Sequence, residues 1–131
     1  MTACSSSSGL DSFETGDIEV GGQTLTVAIA ETAEQRSQGL RGVEALPSGL
    51  DGMLFVFEQT RTATFGMEDT LIPLDIWWFD QDGRLVGSAE MAPCEAAPCT
   101  AYGSPGEVAY ALETPTGSIE LEPGDRLSVD P

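Results

Sequence analysis

The sequence predicts a mainly β (α+β) fold: a compact, largely antiparallel domain with barrel-like or sandwich closure and one short helix. Three observations predict it. Short apolar segments recur along the chain, several with period-two alternation, and glycine-, proline- or aspartate-rich turn signals separate them. Only Thr32–Leu40 carries helix signals. The 131 residues, 40 % of them hydrophobic, suffice for one buried core and show no internal repeat.

Each element follows from local patterning. Residues 1–16 lack periodicity and read as a flexible tether, which leaves 17–131 as a single β-rich domain. Ile18 and Val20, then Gly21-Gly22, then Leu25, Val27 and Ile29 form a hairpin. Thr32 offers a hydroxyl N-cap to a short helix that Gly39 or Gly42 stops. Ala45 to Asp51 is a turn region containing Pro47 and Gly49. Gly52-Met53-Leu54-Phe55-Val56-Phe57 is a continuous apolar run, the mark of a strand buried on both faces. Thr62 to Phe65 offers another strand, and Leu71 to Phe79 is the most hydrophobic stretch, interrupted by Pro73 and Asp75. Asp80 to Gly83 turns the chain into a partner strand over Arg84 to Met91. A long loop covers 92–106, alternation returns at Glu107–Glu113 and Ile119–Leu121, and Pro123-Gly124-Asp125 precedes a last strand, Arg126 to Val129.

Composition narrows function. Twenty-two acids oppose five bases for a net charge of −17, and the chain has no histidine. All five bases are arginine. Such a chain is repelled by nucleic acid and by anionic membrane surfaces. The missing imidazole removes Ser-His-Asp and Cys-His nucleophile pairs and histidine metal ligation. The acids are spread along the chain, so they form no acidic tail. Lysine-free acidity suits concentrated salt, and it equally follows from GC-rich codons; the sequence does not separate the two.

The cysteines divide into two groups. Ala3-Cys4 followed by Ser5 to Ser8 resembles the start of a trimmed lipoprotein, with the lipid on Cys4 and the serine-rich stretch as spacer. Cys94 and Cys99 lie in a segment stiffened by Pro93 and Pro98, and a local disulfide between them is expected in an exported protein. Three cysteines without histidine fall short of the four soft ligands of a structural zinc site, which argues against one.

Six strings occur in order: Gln38-Gly39-Leu40, Ala45-Leu46-Pro47, Gly52 to Phe57, Phe65-Gly66-Met67, Thr70 to Ile76 and Pro123 to Arg126. Together they resemble the domain of unknown function 192 family, small and often exported bacterial and archaeal proteins, over about residues 17–130. The resemblance implies a compact β-rich fold with a short helix and brings no established reaction. The chain departs from the family pattern where that pattern has Trp between Phe and Met and then Lys-Asn-Thr; here stand Gly66 and Glu68-Asp69-Thr70. The family's arginine after Gly-Leu falls on Val43, with Arg41 two residues earlier. Thr70, Pro73 and Asp75 match the pattern.

The candidate ligand-binding residues are Asp75, Trp77, Trp78, Thr70 and Tyr102. A carboxylate inside an apolar run is costly unless partnered, so Asp75 is either a cleft acid or a structural acceptor of backbone N–H groups or of Arg36 or Arg41. Adjacent tryptophans on a strand face opposite sides, and an exposed one would stack on a sugar or anchor a partner. Tyr102 would close over the same face from its loop. Glu68 and Asp69 are the candidate metal ligands; with Asp75 they would hold calcium, and no other cofactor is expected. No catalytic constellation emerges.

The functional expectation is an exported, extracytoplasmic, lipid-anchored domain that binds a small ligand or an envelope protein, acts as a monomer and touches the membrane through its anchor alone. Two alternatives stand beside it: a carboxylate-based hydrolase or divalent-cation protein using Asp75, Glu68 and Asp69, and a structural accessory domain of an envelope assembly.

Overall fold

The computed structural model describes Leu10 and residues 12–129. Seven strands and one helix follow in the order β1 (Glu14–Val20), β2 (Gln23–Ala30), α1 (Ala33–Gln38), β3 (Gly52–Phe65), β4 (Leu74–Phe79), β5 (Leu85–Met91), β6 (Tyr102–Pro115) and β7 (Leu127–Val129). The strands make one mixed sheet in the order β5-β4-β6-β3-β2-β1-β7, curled into a half-barrel. The expected mainly β class with one short helix is what the protein has.

Most pairings are antiparallel. The hairpin of β1 and β2 turns through Gly21 and Gly22, at φ of 57° and 82°, which is the two-residue turn that needs positive φ at both central positions. The exception is β2 with β3, which run parallel. Parallel neighbours need a crossover, and this one carries α1 and the segment 39–51 over one side of the sheet. Because β7 pairs with β1, the last strand lies beside the first.

The sheet buries both faces. One face gathers Ile18, Val20, Leu25, Val27, Leu54, Trp77, Phe79 and Leu112, closed by Ile119 and Leu127. The other gathers Met53, Phe55, Ala63, Leu74, Ile76, Trp78 and Ala111 beneath the crossover residues Leu40 and Val43. All six residues of β4 are buried, which explains why its run, Asp75 apart, is apolar rather than alternating.

Several boundaries differ from the pattern reading. The ordered domain begins before residue 17: Leu10 and Phe13 are buried in the second core and β1 starts at Glu14. Residues 1–9, Cys4 included, lie outside the described residues. The strands expected at 52–57 and 62–65 are one strand, β3, which bulges between them. Val56 pairs with Tyr110 and the next pair is Arg61 with Val108, so β3 spends five residues where β6 spends two. The loop expected over 92–106 ends at Ala101, because Tyr102 already pairs with Phe65. Ile119 to Leu121 forms no strand: Ile119 is buried, Leu121 is half-buried and Glu120 between them is exposed.

Candidate functional site

Pocket geometry and charge converge on one cleft on the second face of the sheet, of about 390 Å³. That volume lies in the range of small-molecule sites, roughly 300–1,000 Å³. Its walls come from α1 and the residues after it, from the bulged half of β3, and from the turn around Glu68. Its floor includes Phe55 and Glu113.

The α1 wall is held by its cap. The Gln35 N–H donates to Thr32 Oγ1 at 3.1 Å, while Gln35 Oε1 accepts from the Thr32 N–H at 3.3 Å. Arg36 then reaches across the sheet, and its Nη1 donates to the carbonyls of Glu31 and Val56 at 3.0 and 2.9 Å. Its guanidinium carbon lies 5.5 Å from the centre of the Phe57 ring, and that of Arg61 lies 4.9 Å from the same centre. The bulge that follows Val56 is what brings Phe57 and Arg61 to this face together. Phe57 and Phe65 contact edge-on at 6.4 Å, and Phe65 meets Phe55 at 5.2 Å, which completes an aromatic wall.

The opposite rim is a stapled pair of turns. The Gly42 N–H donates to the Asp69 carbonyl at 2.8 Å, and Arg41 Nη1 lies 3.3 Å from Asp69 Oδ2. Asp69 itself has φ of 59°, a left-handed conformation that aspartate tolerates better than most residues. Thr70 is buried in the cleft lining and its hydroxyl donates to the Glu68 carbonyl at 3.4 Å.

Three of the five arginines in a chain of net charge −17 therefore line a single cleft. Arg41–Asp69 is the only ion pair among the described residues. Among the described residues Arg36 and Arg61 have no carboxylate partner, in a chain with 22 acids. The same cleft is lined by Glu113, 5 % exposed, whose carboxyl is pushed up by burial from 4.5 to about 8. At neutral pH it is an uncharged acid. The cleft is thus positive at its rim, aromatic along one wall and neutral but polar at its floor.

The residues singled out from the sequence are distributed otherwise. Asp75 and Trp77 lie on the opposite face, along a shallow cavity of about 240 Å³ shared with Glu90 and Glu120. Asp75 is a structural acceptor: its Oδ2 takes the Gly117 N–H at 3.0 Å, and neither Arg36 nor Arg41 reaches it. Its Oδ1 is buried without a partner. Trp77 and Trp78 do face opposite sides, and both are buried, so neither is the exposed tryptophan that the sequence allows for. Trp77 Nε1 donates to Thr114 Oγ1 at 3.1 Å, while Trp78 packs into the second core beside Phe65. Tyr102 is half-buried and its hydroxyl accepts the Ala92 N–H at 3.4 Å, so it ties down the cysteine loop. Glu68 and Thr70 are the two that the cleft includes, with Asp69 at its rim. Glu68 and Asp69 do not meet Asp75, and no group of three or more Asp, Glu or Cys among the described residues is arranged to hold a metal ion.

Cys94 and Cys99 form a disulfide, which is compatible with an extracytoplasmic location. Cys94 also bridges to Glu68, so the bonded loop abuts the cleft rim. No helix among the described residues is long and apolar enough to cross a membrane.

No curated protein matches the chain. Two solved structures share its fold closely. A candidate transcription regulator from Sinorhizobium meliloti 1021 is 31 % identical, with a TM-score of 0.79 over 90 % of this chain and 95 % of that one. A protein of unknown function from Novosphingobium aromaticivorans DSM 12444 is 22 % identical, with a TM-score of 0.78 over 97 % of this chain and 99 % of that one. The profile of DUF192, described as an uncharacterized ACR, matches residues 16–129, and the chain therefore belongs to that family.

Proposed function

We propose that this protein is a binding module for small organic anions, and that the cleft between α1 and β3 is where they bind. One observation carries the reading: Arg36 and Arg61 face a cleft with no carboxylate partner among the described residues, in a chain rich in acids. Guanidinium groups held over an aromatic ring are already oriented, so little freedom is lost when an anion arrives. The same acidic surface disfavours nucleic acid, so the description of the Sinorhizobium relative is not carried over.

The module is exported and anchored by a lipid on Cys4. The Ala3-Cys4 start with its serine-rich spacer supports this, as does a disulfide at Cys94–Cys99. Mass spectrometry of the protein from its native membrane is expected to find Cys4 lipidated; an unmodified thiol there refutes the anchor.

Binding is tested by thermal melting of the full chain against small aliphatic and aromatic carboxylates, with inorganic phosphate and calcium alongside. A carboxylate at about a hundred times its Kd is expected to stabilise by roughly 2.7 kcal/mol, a rise of several degrees. Arg61→Ala, which removes a side chain stacked on Phe57, should abolish most of that rise. A response to calcium with none to any anion would sink the proposal.

A further inference from the structure

Among the described residues Glu113 is the one buried carboxyl that lines the cleft. It sits in the interior of the sheet on β6, opposite Met53 of β3 and Ile76 of β4. It is 5 % exposed and lines the cleft, and among the described residues no side chain or backbone group hydrogen-bonds its carboxyl. Removing a polar group from water without a partner is unfavourable, and an apolar residue would suit a site flanked by Met53 and Ile76. The charged groups that share its cleft are Arg36 of α1, Arg41 of the following turn, Arg61 of β3 and Glu68 of the turn after β3.

Resting on the anion-binding reading above, we propose that Glu113 is the specificity-determining residue of the cleft. Its carboxyl donates a hydrogen bond to an uncharged oxygen of a ligand whose carboxylate meets Arg36 and Arg61. The ligand is therefore an oxo or hydroxy carboxylate with an apolar body that lies against Phe57 and Phe65.

The chemistry follows from what each group can offer. An uncharged carboxylic acid has one O–H to donate, and a carboxylate has none. The burial that holds this carboxyl neutral up to about pH 8 therefore turns it from an acceptor into a donor at physiological pH. A ligand that lacks the second oxygen leaves that donor unpaired in a desolvated site, and sites built to hydrogen-bond a substrate oxygen discriminate strongly against analogues without it. The arginines do not titrate in this range, so any pH dependence above neutrality belongs to Glu113.

Two probes of matched shape test this: 4-phenyl-2-oxobutanoate and 4-phenylbutanoate, titrated into the full chain by calorimetry at pH 6.5 and 9.5. At pH 6.5 the oxo acid should bind at least about tenfold more tightly. At pH 9.5 its affinity should fall about tenfold or more and the preference should shrink, because an ionised Glu113 cannot donate and repels the ligand. Glu113→Gln, which donates at every pH, should keep the preference and lose the pH dependence. Glu113→Leu should abolish the preference while still binding 4-phenylbutanoate. Equal affinities for the two acids in the unaltered protein at pH 6.5, or a preference that survives Glu113→Leu, overturn the role of Glu113 and leave the anion cleft standing. Binding of neither acid overturns the cleft reading itself. The unaltered protein and Glu113→Gln decide the matter even if Glu113→Leu does not fold.

Discussion

Asp75 and Glu113 are both buried carboxyls on adjacent strands of one sheet, and they have opposite relations to their surroundings. Asp75 accepts the backbone N–H of Gly117 and closes the turn after β6 against β4. The Glu113 carboxyl has no such partner among the described residues, lines a cleft with three arginines, and is raised to about 8 by burial. The acid that stands out in the sequence is therefore tied to a turn, and the acid that hides in an alternating strand lines the cleft. What separates the two acids is where the carboxyl opens: Asp75 is tied to a backbone turn, with one oxygen buried, and Glu113 lines a cleft.

The largest test of this contrast is stability against pH. Glu113 is raised from 4.5 to about 8 in the folded chain. Below 4.5 both states hold the proton; between there and 8 the folded state keeps it while the unfolded state releases it, so stability falls as pH rises. Above that window both states are ionised and the contribution is flat. The shift corresponds to a loss on the order of 5 kcal/mol across the window. Denaturant melts from pH 4.5 to 9 should show this decline, and Glu113→Gln should flatten it.

Next comes a difference in sign. Asp75→Ala orphans the Gly117 N–H and should destabilise by about 1–3 kcal/mol without changing anion binding. Glu113→Leu removes an unpartnered polar group and should stabilise the fold at pH 8. Urea midpoints for the pair that move in the same direction would erase the contrast. Replacing Cys94 and Cys99 by serine should cost at most about 2 kcal/mol, since the closed loop is short. The smallest stability effect belongs to Gly66→Trp. A Cβ there meets only the flexible end of Glu68, so the melting temperature should barely move while the indole fills the cleft and anion binding is lost.

Much of the fold is legible in the residues. The Gly21-Gly22 turn, the Thr32 cap, the turn at Asp80–Gly83 and the apolar run of β4 each carry a local signal that tertiary structure preserves. The bulge in β3 is not legible, because extra residues on one strand show only against a partner strand. The site was hidden for a related reason. Glu113 follows Val108, Tyr110 and Leu112 in alternation and reads as a solvent position, yet β6 is central and covered on both faces. Arg36, Arg41 and Arg61 are separated in the chain and meet only through the crossover and the bulge. The scarcity of bases was the available signal: with five in the whole chain, any three together mark a place. The positions that depart from the family pattern were a second one, since Arg41, Gly66 and Glu68 all line the cleft.

One wall of that cleft is thin. Helix α1 has six residues, none of them buried, and isolated helices so short do not persist in water. It is held by its capping box, by the two carbonyls that Arg36 reaches, and by Gln35 Nε2 donating to the Ser12 carbonyl at 3.2 Å. Its amides should therefore exchange with deuterium far sooner than those of β4 and β6, through local opening that leaves the sheet intact. The clock of this molecule runs at two speeds, and the faster hand is the one that carries Arg36.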